Sequence, residues 1–235
     1  MISHVSKFAA ALMVLAGSPL AMAATEQIDV AWNGNSALFG ERMKAFVDGA
    51  QTYGGSRGGL AHELSYKQVV AGVTVDSFEA FCIEPTQSNS KLTATYEKSA
   101  LGGTQGNLLA ALYTTSYKTG AGATWDATAQ AAFQTAVWEL TQEKAVGGVT
   151  TYGITDGNFT VTGGSGVTTL ASTFLSNALS YSGANTYAVY KLTNGDYQDL
   201  LVATPMAPVP EPESYALFLA GLGAIGLIAR RRLPR

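Results

Sequence analysis

Fifteen consecutive residues without a charge, Tyr215–Ala229, run directly into Arg230, Arg231 and Arg232, and no other stretch constrains the chain as tightly. Apolar side chains in a row of that length seek lipid or a protein interior, while three successive guanidinium groups resist passage through a bilayer. The arrangement predicts a C-terminal transmembrane helix within residues 213–235, with its arginine end cytoplasmic. Fifteen helical residues rise only about 22 Å against a hydrocarbon core of about 30 Å, so Ser214 and the arginine stems complete a thin span. A buried C-terminal helix would leave the arginine run without a role.

At the opposite end, His4 and Lys7 precede the apolar run Phe8–Ala16 and the small-residue stretch Ala21-Met22-Ala23-Ala24. This reads as a signal peptide over residues 1–23, too short to act as a stop-transfer helix. Residues 24–210 then form a body of 187 residues, enough for one domain with its own core. The body carries nine basic and fifteen acidic side chains, a net charge of −6, which disfavours a nucleic-acid partner.

The chain has one cysteine, Cys82, so no intrachain disulfide can form. In an exported protein an unpaired cysteine is buried and inert, joined to another chain, or kept for its reactivity. The other usual chemistries find little support. His62, beside Glu63, is the sole histidine of the body and has no partners for a zinc site, and it reads as a surface or strand residue. No metal or cofactor is expected. A Ser-His-Asp hydrolase would need that same histidine, and no nucleophile elbow is present. Gly221-Leu222-Gly223-Ala224-Ile225-Gly226 matches a dinucleotide fingerprint, but it lies inside the apolar span with no preceding strand. Its small residues, with Ala216, Ala220 and Ala224, fit close helix approach in lipid instead.

Along the body, strands are expected at Gln27–Trp32, within Glu41–Tyr53, at Leu64–Val70 and at Val73–Ile83, from their β-branched and aromatic content and glycine breaks. Gly54–Gly59 reads as a loop. Helices are predicted at Gln105–Tyr117, capped by Thr104 or Asn107, and at Trp125–Lys144, capped by Thr124 or Asp126. The second helix carries two adjacent stripes, Ala129, Phe133, Val137 and Leu140 beside Gln130, Gln134 and Trp138. A third helix is expected at Val167–Tyr181. Hairpins are expected at Thr150–Ile154 with Asn158–Thr162 and at Tyr187–Leu192 with Tyr197–Ala203, around Asp-Gly and Asn-Gly turns. The fold class is α+β, an antiparallel sheet or sandwich with a packed helical insertion, over residues 24–203. Thr204–Pro212, with four prolines, reads as an extended tether that cannot join a sheet.

Val209-Pro210-Glu211-Pro212, the apolar span and the arginine cluster together resemble the PEP-CTERM sorting signal of bacteria that make exopolysaccharide. The resemblance implies that an exosortase recognises Pro210, Glu211 and Pro212 and cleaves near the membrane. The protein would then pass from the inner membrane to the cell surface or extracellular matrix.

Phe81-Cys82-Ile83 and Phe133-Gln134-Thr135-Ala136-Val137-Trp138 resemble a second pair of signatures, those of thioester-forming surface domains. The resemblance implies that the Cys82 sulfur displaces ammonia from the Gln134 carboxamide to leave an internal thioester. Phe81 and Trp138 would shield the bond. A surface amine or hydroxyl would open it, giving covalent adhesion by a single-turnover acyl transfer rather than enzymatic turnover. Phe133 stands where many Gram-positive members have threonine, and Glu84-Pro85 is an unusual continuation after the cysteine. The alternatives are a structural or exopolysaccharide-binding matrix protein with Cys82 inert in the core, and a surface hydrolase.

Overall fold

The computed structural model describes residues 25–35, 40–118, 125–164, 166–206, 220–222 and 225. The signal peptide, the Pro210-Glu211-Pro212 motif, most of the C-terminal apolar span and Arg230–Arg232 lie outside the described residues. No helix among the described residues is long and apolar enough to cross a membrane.

The body is antiparallel β structure with three helices, and its main sheet closes on itself. Strands β1 (Glu26–Asn35), β2 (Glu41–Val47), β3 (Ala50–Tyr53), β4 (Gly59–Ala61), β5 (Leu64–Val70), β6 (Val73–Cys82) and β7 (Ala94–Ala100) precede helices α1 (Gly103–Ser116) and α2 (Ala127–Gln142). Strand β8 (Phe159–Gly163), helix α3 (Val167–Ser180) and strands β9 (Tyr187–Thr193) and β10 (Leu200–Pro205) complete it. Six strands form a barrel in the order β1-β5-β6-β10-β9-β7, with β7 pairing back on β1. Closure removes the sheet edges that an open sandwich would expose. Strand β2 centres a smaller sheet, with β8 along one edge and β3 and β4 along the other.

The expected antiparallel sheet or sandwich is therefore a barrel beside a small sheet. The strand that closes it, β7, carries no clear periodic signal, because among its seven residues Tyr96 alone is fully buried. The hairpin expected at 150–162 does not form. Ile154 stays in a turn that is tied to Val161 by one backbone hydrogen bond of 3.0 Å, and Phe159–Gly163 pairs with β2 instead. The second hairpin is present as β9 and β10. Asn194 organises its loop by accepting from Asp196 N and Tyr197 N at 2.8 and 3.0 Å, which delays β10 to Leu200. The sheet also extends past the expected tether boundary, since Thr204 and Pro205 pair with Ala188 and Tyr187. The pairing of β10 with β6 ends at Val202, so the missing N–H of Pro205 breaks no barrel ladder on that side.

Helix α1 starts two residues earlier than expected, at Gly103, and neither Thr104 nor Asn107 caps it. Helix α2 is capped by Asp126, whose Oδ1 accepts from Ala129 N at 2.8 Å. Every residue of α2 from Ala129 to Leu140 is buried, because barrel, small sheet, α1 and α3 surround it. Both expected stripes thus face packed protein. Side chains of the barrel interior, including Val30, Leu64, Tyr66, Ala80, Tyr96, Leu192 and Leu200, form one core. The larger core lies outside it, around α2.

Enclosure of α2 also buries Glu139, whose Oε1 accepts from Gly153 N at 2.7 Å while Oε2 has no partner. Burial pushes its carboxyl up to about 8, with Glu143 adding to the rise and the Gly153 bond opposing it. The folded state therefore favours the protonated form. Stability is intact below the unfolded pKa near 4.5 and is lost as pH rises towards 8. In thermal melts, Glu139→Gln is expected to be less sensitive than the wild type over that window, with its advantage largest near pH 8. An unchanged pH dependence of Tm would contradict this assignment.

Candidate functional site

Alternation along β6 sends neighbouring side chains to opposite faces. Ala80 packs in the barrel interior, Phe81 packs against the helices, and Cys82, the next residue, also joins the core on the helical side. Cys82 is the last residue of the strand, so its sulfur sits where the barrel interior meets the outer layer. Helix α2 crosses this end of β6 and presents the stripe of Gln130, Gln134 and Trp138.

Gln134 docks directly on the backbone of Cys82. Its Oε1 accepts from Cys82 N at 2.8 Å, and its Nε2 donates to Cys82 O at 2.7 Å. The carboxamide thereby replaces a strand partner that β6 lacks at that point. Gln142, two turns later, donates to Ile83 O at 2.6 Å, and Gln130 accepts from Glu63 N at 3.4 Å. Three glutamines of one helix therefore satisfy backbone groups at strand ends. Gln198 completes the surroundings, with Nε2 against the Cys82 sulfur and 3.2 Å from Glu84 O.

A cavity of about 230 Å³ opens beside this pair, and its wall includes Cys82, Gln134, Trp138, Tyr53, His62 and Gln198. Tyr53 meets Trp138 edge to face at 4.9 Å and donates its hydroxyl to Leu60 O at 2.8 Å. Burial pushes the Cys82 thiol up to about 12, with the nearby Trp138 indole N–H and the Gln198 amide acting against the rise. The Trp138 indole N–H is buried without a hydrogen-bond partner.

The structure brings Cys82, Gln134 and Trp138 to one cavity and places Phe81 elsewhere. Phe81 is fully buried in an aromatic cluster, 4.7 Å from Phe133 and near Tyr113, Tyr117 and Trp125. Its role is to press α2 onto β6 from the outer face. Phe133, the departure from the threonine pattern, fills the same cluster. His62 is a correction to the sequence reading, since it is a buried residue, 8% exposed, on the wall of the Cys82 cavity. It sits between β4 and β5, with Nδ1 2.8 Å from Glu63 O. No local sequence signal links it to Cys82, because the two are joined only by the pairing of β5 with β6 and the crossing of α2.

Residues 208–232 match the PEP-CTERM protein-sorting motif, and this match indicates a secreted protein that is sorted to the surface by an exosortase. No curated protein matches the chain. Among solved structures, the N-terminal domain of the Streptococcus pyogenes pilus tip adhesin Cpa is similar at 14% identity and a TM-score of 0.34, covering 74% of this chain and 98% of that chain.

The two Gln134 bonds make a stability prediction independent of any covalent chemistry. In a Cys82→Ala background, Gln134→Leu strands two buried backbone groups and is expected to cost about 2–5 kcal/mol in denaturant unfolding. A loss below about 0.5 kcal/mol would mean that the pairing contributes little.

Proposed function

We propose that this chain is an exported surface protein, processed by an exosortase, whose body closes an internal thioester between Cys82 and Gln134 for covalent attachment. The observation that carries this reading is the fixing of the Gln134 carboxamide, at 2.8 and 2.7 Å, on the backbone of the residue whose sulfur would attack it.

A carboxamide is a poor electrophile, and reaction with a thiol requires it to be held in place. Cys82 N–H already donates to the Gln134 oxygen, and the same donor would stabilise the charge that this oxygen gains as sulfur adds. Collapse of the tetrahedral adduct breaks the Cδ–Nε2 bond, releases the nitrogen as ammonia and leaves Sγ bonded to Cδ. The Gln198 amide against the sulfur supports it as a leaving group when the bond later opens. Trp138 and Tyr53 form part of the wall around the bond. An amine or hydroxyl of another surface would then add to Cδ, expel the sulfur and stay joined through the Gln134 carbonyl. The chemistry needs no cofactor and turns over once.

Export by residues 1–23 and retention by residues 213–235, with Arg230, Arg231 and Arg232 cytoplasmic, would deliver the body to the outer face of the membrane. Recognition at Pro210, Glu211 and Pro212 would release it to the cell surface or matrix.

A second reading, non-covalent binding of exopolysaccharide, is favoured by a larger cavity of about 460 Å³. Phe78, Tyr117 and Tyr187 line it together with the charged side chains of Asp76, Glu79, Lys98 and Lys118. Sugars are recognised by that combination of apolar and polar contact.

Intact-mass measurement separates the two. The purified body is expected to weigh one ammonia less than its encoded sequence, Cys82→Ala to restore the full mass, and methylamine to add covalently at Gln134. A wild-type body of full mass with an alkylatable thiol would remove the covalent reading. Retained polysaccharide binding that Tyr117→Ala weakens would then favour the second.

A further inference from the structure

The thioester reading leaves a proton without a carrier. Burial holds Cys82 as a thiol, so its proton must leave when sulfur attacks Gln134 and must be returned when sulfur is expelled. We infer that His62 is the proton shuttle of this acyl transfer, with Nε2 as the base.

Its geometry supports that role. His62 lines the same cavity as Cys82 and Gln134, and it is the one histidine of the described residues. A backbone carbonyl can only accept, so the 2.8 Å contact between Nδ1 and Glu63 O places the ring proton on Nδ1. Nε2 therefore carries a free lone pair. Burial also lowers the pKa of the ring, against the opposing effect of the Glu63 carbonyl, and keeps it neutral at pH 7. The cavity volume admits several waters, enough to bridge ring and sulfur.

The remaining groups around His62 do not compete for the task. Tyr53 and Cys82 are the other titratable groups on the cavity wall, and burial pushes both up to about 12. From α2 the ring faces Gln134 and Trp138, and from the segments before β7 and β10 it faces Gln87, Ser88, Asn89 and Gln198, all of them uncharged. The adjacent carboxylate, Glu63, is engaged by Tyr117 at 2.6 Å, Trp125 at 3.1 Å and Lys118 at 3.4 Å. Glu84 lies beyond Cys82, with its backbone carbonyl held by Gln198.

The steps balance without a further reactant. In formation, Nε2 takes the thiol proton, Sγ bonds to Cδ, and the imidazolium returns the proton to the departing nitrogen as ammonia. In opening, Nε2 takes a proton from the attacking amine or hydroxyl, the Cδ–Sγ bond breaks, and the thiolate receives that proton from the ring.

The inference rests on the thioester reading, and one set of measurements tests them apart. His62→Asn keeps a donor near the Nδ1 position for Glu63 O and removes the base, while His62→Ala leaves space for added imidazole. Wild-type and variant bodies are first weighed for loss of ammonia, then treated with methylamine between pH 5 and 8, with rates referred to free amine. A wild type that never loses ammonia sinks the thioester reading itself. If that reading holds, the wild-type rate should fall on acidification as one group protonates below pH 6.5. His62→Asn should react about 100-fold more slowly or more, without that dependence. Imidazole should restore thioester formation or opening in His62→Ala. A His62→Asn rate within threefold of wild type, an unchanged acid limb, or a folded His62→Ala that imidazole leaves unrestored would each overturn the role.

Discussion

Two hydrogen bonds between the Gln134 side chain and the Cys82 backbone join the helical layer to the barrel. The residues are 52 positions apart in sequence, and without this contact the end of β6 would hold a buried donor and acceptor with no partner. The aromatic cluster of Phe81, Phe133, Tyr113 and Tyr117 supplies the apolar force that brings α2 onto the strand. The two effects divide the work. Apolar burial sets how closely helix and strand approach, and the paired hydrogen bonds set the register in which they meet.

Low polarity around that junction acts on each ionisable group according to its charge type. It holds Cys82 protonated, keeps His62 neutral and pushes Glu139 towards its acid form, because burial always penalises the charged state. A dry setting would protect a thioester from water, yet it would also quiet the thiol that must make one. The mechanism proposed here reconciles those demands by moving a proton inside the cavity rather than keeping a standing thiolate. The sorting motif at residues 208–232 gives the body a surface destination, where a stored acyl group would find its target.

Legibility in the sequence followed how local each cause was. Helix α2 was readable in its approximate extent, its two stripes and, as one of two candidates beside Thr124, its Asp126 cap, because all three are set by neighbours within a few turns. Strands β5 and β6 were readable from their apolar runs. Barrel closure was not, since β7 pairs with β1 across almost 70 residues and carries mostly half-buried or exposed side chains. The turn at Asp156-Gly157 misled for the same reason: a good turn was present, but β2 offered Phe159–Gly163 a longer partner than the segment before it. His62 was read as a surface or strand residue, since nothing nearby in sequence marks the cavity wall it occupies.

By itself the sequence determined residue chemistry and order: one thiol, one histidine in the body, an amphipathic helix bearing Gln134, and the motif and arginine run of a sorting tail. These are properties of composition and short-range periodicity, and they need no knowledge of how distant segments meet. The tertiary structure alone decided that the Gln134 carboxamide rests on Cys82, that Phe81 turns away from the sulfur, and that His62 shares its cavity. Side-chain direction on a strand is fixed only once the barrel register is fixed, and that register depends on pairings among residues far apart along the chain.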